Sequence, residues 1–352
     1  MDVANGNKSE LTDRKEKGIA FDEAVFSKDG KGVWLVTDKD SEFKRLAIMD
    51  LSTKMINYIT TDLNWDVDNF IMSDDGKKIA FKSNEAGESK LYLMDSKSLK
   101  YKMVEGLPIG VIGGMEFHRN NTDLAFSLVS PRSASDVYVL NTKSNKLERW
   151  TESELGGLMS EELTVPSLIK WKSFDSKEIS GFYYKANNKF TGKRPVIINI
   201  HGGPEGQSRP TFSGTANYYT NELGIAIIYP NVRGSVGYGK SYLKADNGFK
   251  REESVKDIGA LLDWIAQQPE LDASRIMVTG GSYGGYMTLA VSTNYADKIR
   301  CALDVVGISN FNTFDLTCKC IQSIYSKTTG CSFEIIIIDN GSTERDAEDF
   351  IK

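Results

Sequence analysis

A short turn recurs three times in the first half of the chain. Its copies are Phe26-Ser27-Lys28-Asp29-Gly30-Lys31, Met72-Ser73-Asp74-Asp75-Gly76-Lys77 and Phe117-His118-Arg119-Asn120-Asn121-Thr122, which begin 46 and 45 residues apart. A short apolar strand follows each one: Val33 to Val36, Lys78 to Phe81 and Leu124 to Phe126. A second strand then ends near a polar turn, at Leu46 to Asp50, Leu91 to Asp95 and Val137 to Asn141. Turn, strand, polar loop and strand in about 45 residues is the pattern of a β-propeller blade, with another kind of solenoid as the alternative. Residues 1–150 therefore read as a partial β-propeller of three blades plus one strand. Asp2-Val3-Ala4-Asn5-Gly6 supplies that strand, because Asp50-Leu51-Ser52-Thr53 holds the same place 48 residues later. Propellers close with about 4–8 blades, so the chain is expected to begin inside a blade.

From about Val165 the pattern changes to strands alternating with helices. Leu168 to Phe174 and Ile179 to Tyr184 read as antiparallel strands. They lead to Val196-Ile197-Ile198-Asn199-Ile200, an apolar run of the kind a sheet buries on both faces. Ile225 to Tyr229, Ile276 to Thr279 and Ala302 to Val306 are further strands. Ser254-Val255-Lys256-Asp257 resembles a capping box and on this reading opens a helix. Val255, Ile258, Leu261, Leu262 and Ile265 share one face of it. A second helix covers Tyr286 to Ser292. This is the layer pattern of a doubly wound α/β domain, assigned to residues 151–314.

Ser282 lies between the 276–279 strand and that second helix, in Thr279-Gly280-Gly281-Ser282-Tyr283-Gly284-Gly285. In a nucleophile elbow a strand turns sharply into a helix and presents a serine hydroxyl at the top of an α/β-hydrolase sheet. Glycines suit such a turn because it leaves no room for side chains. The string alone is weak in a chain with 31 glycines, and a glycine-rich phosphate-binding turn is the competing reading. The flanking strand and helix favour the elbow.

His201-Gly202-Gly203-Pro204 directly follows the 196–200 strand. Acyl transfer needs preorganised N–H donors for the oxyanion, and losing one typically costs about 10²–10³ in rate. A glycine pair lets backbone approach the reacting carbonyl, so the expected donors are the N–H groups of Gly203 and Tyr283. The stretch from Asn231 to Gly239 is a long glycine-rich loop. Arg233 and Tyr238 either shape a pocket rim there or brace the loop, and bracing is favoured.

The chain's two histidines, His118 and His201, both precede Ser282, whereas the α/β-hydrolase order is Ser, then Asp or Glu, then His. His201 accordingly reads as a supporting residue of the oxyanion-side loop together with Gly202. His118 reads as a blade residue, standing where the other repeats have Ser27 and Ser73.

Bulk properties exclude several classes. A net charge of -5 gives no basis for nucleic-acid binding. The longest apolar runs, Val196 to Ile200 and Ile335 to Ile338, fall far short of the ~18 residues of a membrane span. Cys301, Cys318, Cys320 and Cys331 lack a histidine nearby and a fourth ligand, so free thiols are expected rather than zinc. No cofactor or metal is expected. With polar sequence after Met1, the compartment expected is the reducing cytoplasm.

Taken in order, HGGP at 201–204, NVRGSVGYG at 231–239 and GGSYGG at 280–285 resemble the catalytic domain of the prolyl oligopeptidase family, particularly its acylaminoacyl-peptidase and dipeptidyl-peptidase-like branch. The resemblance covers roughly residues 165–314, and a propeller is the companion domain it implies. It further implies a serine peptidase acting on short peptides, with Ser282 as nucleophile and Gly203 and Tyr283 at the oxyanion hole. The family's acid and base would fall beyond Lys352, so this chain is expected to be nearly inactive.

From about Asn312 the character changes again. The run Glu334-Ile335-Ile336-Ile337-Ile338-Asp339-Asn340-Gly341-Ser342-Thr343 looks like the nucleotide-sugar-binding start of a family-2 glycosyltransferase, with Asp339 at the nucleotide-contacting position. Glu344 departs from that family's usual Asp, and no glycosyl transfer is expected. Residues 315–352 are therefore assigned as a foreign tail joined near Asn312-Thr313-Phe314; a divergent hydrolase segment is the alternative. Competing functions are a non-catalytic fusion or remnant and an esterase of the same fold.

Overall fold

The computed structural model describes residues 4–13, 15, 17–307, 322 and 326. The join expected at 312–314, Cys318, Cys320, Cys331, Asp339 and the rest of the expected tail apart from Gln322 and Ser326 lie outside the described residues. So do Asp2 and Val3 of the expected first strand. The chain divides into two compact units. One is Met1–Ser160 with Arg209–Phe212 and Gly237–Tyr242; the other is Glu161–Ser208 with Ser213–Val236 and Leu243–Lys352.

Three four-stranded antiparallel meanders make up the first unit. The first holds β1 (Phe21–Phe26), β2 (Gly32–Thr37), β3 (Arg45–Asp50) and β4 (Ile56–Tyr58). The second holds β5 (Asp66–Met72), β6 (Lys78–Glu85), β7 (Glu88–Asp95) and β8 (Tyr101–Met103). The third holds β9 (Val111–Phe117), β10 (Asp123–Ser130), β11 (Ser133–Asn141) and β12 (Lys146–Arg149). The two middle strands of each sheet are those legible in the sequence.

The turn that marks each repeat closes in the same way every time. The N–H groups of Ser27, Ser73 and His118 donate to the carbonyls of Gly32, Lys78 and Asp123 at 2.8, 2.9 and 2.8 Å. Ser27 Oγ and Ser73 Oγ accept the N–H of Gly32 and Lys78 and donate to Asp29 and Asp75. In the third turn the corresponding Asp123 N–H is accepted by Asn120 Oδ1 at 3.0 Å, and His118 Nδ1 accepts the Asn120 N–H at 3.3 Å.

Hydrophobic cores form between neighbouring sheets. Trp34, Val36 and Leu46 of the first sheet pack with Phe70, Ile79 and Phe81 of the second. Ala80 and Leu91 of the second pack with Ile112, Leu124 and Phe126 of the third. Successive residues 79, 80 and 81 thus serve opposite neighbours, because strand side chains alternate between faces. A blade sandwiched between two others is apolar on both, which is how propeller blades complete one another.

The second unit is built on a six-stranded sheet in the order β13-β14-β16-β15-β17-β18. These are β13 (Ser167–Lys172), β14 (Glu178–Tyr184), β15 (Arg194–Ile200), β16 (Ala226–Asn231), β17 (Leu271–Gly281) and β18 (Cys301–Val305). The first three in that order pair antiparallel, and β16, β15, β17 and β18 run parallel. Among the helices are α1 (Gly214–Asn221), the short α2 (Lys240–Leu243), α3 (Arg251–Ala266) and α4 (Tyr283–Asn294).

The apolar stripe of α3 is the one read from sequence: Val255, Ile258, Leu261, Leu262 and Ile265 are each at most 3% exposed. Its start is not where the capping-box reading puts it. A turn of 3₁₀ helix at Gly248–Lys250 runs straight into Arg251, and Lys250 stands at the N-cap without a side-chain cap. Ser254 is buried in the first turn instead. Its hydroxyl bonds back to the Arg251 carbonyl at 2.7 Å, a local partner that serine uses when it sits inside a helix.

Candidate active site

The pairing of β15 with β17 sets the site. Ile200 stands level with Gly280, so the loop after β15 and the turn after β17 leave the sheet side by side at its carboxyl end. Ligands in open α/β sheets bind outside the carboxyl ends of strands. A Cβ placed on Gly202 would come within 3.6 Å of the Ser282 Cβ, which measures how closely the two loops approach.

Ser282 adopts φ 56° and ψ -117°, a backbone conformation that side-chain-bearing residues rarely take. Such strain persists only where surrounding structure enforces it. Three hydrogen bonds do so: Ser282 N–H to the Val305 carbonyl at 3.1 Å, and the N–H groups of Gly285 and Tyr286 to the Ser282 carbonyl at 3.0 and 3.1 Å. Gly284 is required by close approach, since a Cβ there would fall 2.1 Å from the Ile200 carbonyl oxygen. Ser282 itself is exposed, while Tyr283, Gly284 and Gly285 are buried. Its side chain caps no helix N–H, so the hydroxyl is not spent on holding α4.

Gly203 sits at φ +115°, a region that favours glycine. Among the described residues, the N–H groups of Gly203 and Tyr283 have no backbone acceptor outside regular elements. Tyr283 opens α4, so its N–H is one of the orphan donors of a helix N-terminus.

His201 is half-buried, and both of its ring nitrogens have partners. Nδ1 lies 2.8 Å from the Gly202 carbonyl oxygen and Nε2 lies 2.8 Å from Ser235 Oγ. Burial holds its pKa below the ordinary histidine value, against the Gly202 hydrogen bond and the charge of Asp246, which both raise it. His118 is exposed in the turn before β10. Neither histidine is hydrogen-bonded to Ser282.

Arg233 is buried and braces its loop. Its guanidinium reaches Asp257, Asp175 and Glu253 at 2.8, 3.0 and 2.9 Å and lies over the Phe174 ring. Tyr238 groups with the strand-rich unit, where its ring packs on Tyr242 and meets Trp65 edge-on. Sequence reasoning overlooked Asn231 as an individual residue. It is fully buried, and its amide accepts the Ser208 N–H at 2.6 Å and donates to the Ser208 carbonyl at 3.0 Å. Asp246 was overlooked too. Its carboxylate takes the Tyr283 hydroxyl at 3.1 Å and pairs with Arg251 at 2.5 Å beneath the elbow. Burial pushes the Tyr283 phenol up to about 12, so it is a neutral donor throughout the physiological range. Nothing in the local spacing marks Asp246, whereas Asn231 stands in the NVRGSVGYG run.

These features define the class: an α/β-hydrolase sheet with a serine elbow, accompanied by propeller blades. The sequence profile of the prolyl oligopeptidase family matches residues 210–329, which contain the elbow. Dipeptidyl aminopeptidase BIII of Pseudoxanthomonas mexicana is 35% identical over 130 residues, covering 36% of this chain and 19% of that protein. Dipeptidyl-peptidase 5 of Porphyromonas gingivalis is 23% identical over 296 residues, covering 81% of this chain and 42% of that one. A solved puromycin hydrolase shares the fold with a TM-score of 0.74 at 20% identity, over 89% of this chain and 48% of the other. The chain thus spans less than half the length of these relatives. No described helix is long and apolar enough to cross a membrane.

Proposed function

We propose that this chain carries the nucleophile and the oxyanion side of a serine peptidase that cleaves short peptides through an acyl-enzyme on Ser282. The observation that carries the reading is an exposed serine on a strained strand-to-helix turn, with the backbone of Gly202 so near that a Cβ there would touch the Ser282 side chain. Ser282 Oγ attacks the peptide carbonyl carbon, and the N–H groups of Gly203 and Tyr283 hold the oxyanion that forms. The C–N bond then breaks, the amine leaves with a proton, and water hydrolyses the serine ester. The dipeptidyl-peptidase relatives support a peptide rather than an ester as substrate. The cytoplasmic compartment we assign rests on the reading of the cysteines as thiols, of which Cys301 has no disulfide partner among the described residues.

The proton on Ser282 needs a base, and both histidines of the sequence are engaged elsewhere. The 352-residue polypeptide alone is therefore expected to be slowed by on the order of 10⁴–10⁶, the cost of losing a triad base. A fluorophosphonate probe tests both halves of the reading. Slow labelling confined to Ser282 and abolished by Ser282→Ala is the expected result. Rapid Ser282-dependent labelling overturns the missing base, and equal labelling of the Ser282→Ala variant overturns the nucleophile.

A further inference from the structure

The Gly202 carbonyl and the Gly203 N–H are opposite ends of one peptide unit. That unit is trans, because the cis bond of this loop is Gly203-Pro204. A trans peptide is planar, with its C=O and N–H pointing in opposite directions. Whatever grips the Gly202 oxygen therefore also aims the Gly203 N–H. His201 Nδ1 stands 2.8 Å from that oxygen.

Burial favours the neutral ring, and in a neutral ring the grip works with only one placement of the hydrogen. A neutral imidazole carries a hydrogen on one nitrogen and a lone pair on the other. With the hydrogen on Nε2, the Nδ1 lone pair would face the Gly202 carbonyl lone pairs at 2.8 Å, and the contact would be repulsive. With the hydrogen on Nδ1, the contact is a hydrogen bond, and Nε2 must accept. Its partner is Ser235 Oγ at 2.8 Å, a side chain with no exposed surface. Ser235 has one hydroxyl proton and two acceptors within reach, Nε2 of the ring and the Val232 carbonyl at 2.7 Å; that carbonyl also receives the Ser235 N–H at 3.1 Å, so it keeps a donor when the hydroxyl proton turns to the ring. The partner of one ring nitrogen commonly fixes what the other nitrogen does.

We propose that Ser235 is a positioning residue for the oxyanion side of the site: its hydroxyl locks His201 as the Nδ1–H tautomer, and the locked ring orients the Gly202–Gly203 peptide. Loop 232–236 holds loop 201–206 at a second point, the Val236 N–H to the Gly206 carbonyl at 3.1 Å, so the ring and its clamp cannot drift apart. The proposal rests on the peptidase reading for the role of the Gly203 N–H, but the tautomer is measurable without any turnover.

The chain has only two histidines, so imidazole ¹⁵N–¹H spectra of the full polypeptide contain two ring systems, with exposed His118 as the internal reference. The expected spectrum shows His201 protonated on Nδ1 and bare on Nε2. Ser235→Ala should shift it toward the Nε2–H form or an exchanging mixture, and Ser235→Thr, which keeps the hydroxyl, should restore it. Wild-type His201 protonated on Nε2 overturns the proposal, as does an unchanged tautomer in folded Ser235→Ala. Should Ser235→Ala fail to fold, the wild-type spectrum and the Thr variant decide. Ser282 labelling by fluorophosphonate is the separate arm, with a loss of up to about 10²–10³ expected in Ser235→Ala if the oxyanion donor is misaligned. Wild-type protein that never labels sinks the peptidase reading, while the tautomer result stands on its own.

Discussion

Arg233 holds Asp257 from two directions: its backbone N–H donates to Oδ2 at 2.9 Å, and its guanidinium reaches Oδ1 at 2.8 Å. Because the main chain is part of the grip, Asp257 on α3 fixes the path of the loop that carries Ser235. Both side chains are at most 1% exposed. Burial opposes the charge, but the hydrogen bonds that the guanidinium donates to Asp257 and Asp175 outweigh it and keep the pKa above its ordinary value, so Arg233 is charged at every working pH.

Removing Asp257 would strand that buried charge. Breaking one side of a buried pair costs about 3–5 kcal/mol. Asp257→Ala should lose that much in urea unfolding of the second unit. A loss below about 1 kcal/mol would mean that Asp175 and Glu253 alone satisfy the arginine.

Gly284 leaves no space for a side chain, with the Ile200 carbonyl oxygen 2.1 Å from where a Cβ would stand. Gly284→Ala must spread β15 from the start of α4, and overpacking of this kind costs about 1–3 kcal/mol or more. Thermal melting should fall accordingly, and Ser282 labelling should fall with it. An unchanged melting temperature would show that the elbow adjusts freely.

Asn231→Ala tests the loop junction. Its amide is the partner of both the Ser208 N–H and the Ser208 carbonyl inside the protein. A buried group left unsatisfied costs about 1–3 kcal/mol. Chemical denaturation should show a loss in that range, and hydrogen exchange at the Ser208 amide should speed up. Wild-type protection at Ser208 in the variant would rule out this bridge.

The lowered pKa of His201 gives stability a pH dependence of definite sign. The folded state prefers the neutral ring, so the unfolded chain binds more protons below its own value near 6.5. The contribution is complete above that pH and is lost as pH falls through the folded-state value. His201→Gln should remove this part of the acid loss, leaving a flatter profile below about pH 6.5. Parallel profiles for the two proteins would contradict it.

The sequence made the architecture legible where side-chain periodicity carries it. The three turns beginning at Phe26, Met72 and Phe117 locate the blades because each repeats one hydrogen-bonding device. The elbow is legible because glycine spacing around Ser282 reports backbone crowding directly. The outer strands β4, β8 and β12, only three or four residues each, carry too few side chains to form a pattern. The start of α3 was misplaced because Ser254 looks like a cap in sequence but bonds inward in three dimensions. Asp246 and Asp257 owe their roles to partners far away in the chain, Tyr283 and Arg233, which no local window contains.

The two sheet types also differ in the order in which they can form. Each blade pairs strands that follow one another in sequence, which keeps loop-closure entropy small and folding fast. In the second unit β15 lies between β16 and β17, and Ile200 must find Gly280 across the whole α1–α3 region. Such long-range parallel pairing is intrinsically slow. The turn at Ser282 and the loop at His201 have their mutual geometry only while that pairing holds, so the setting of the nucleophile depends on residues some eighty positions apart staying in register.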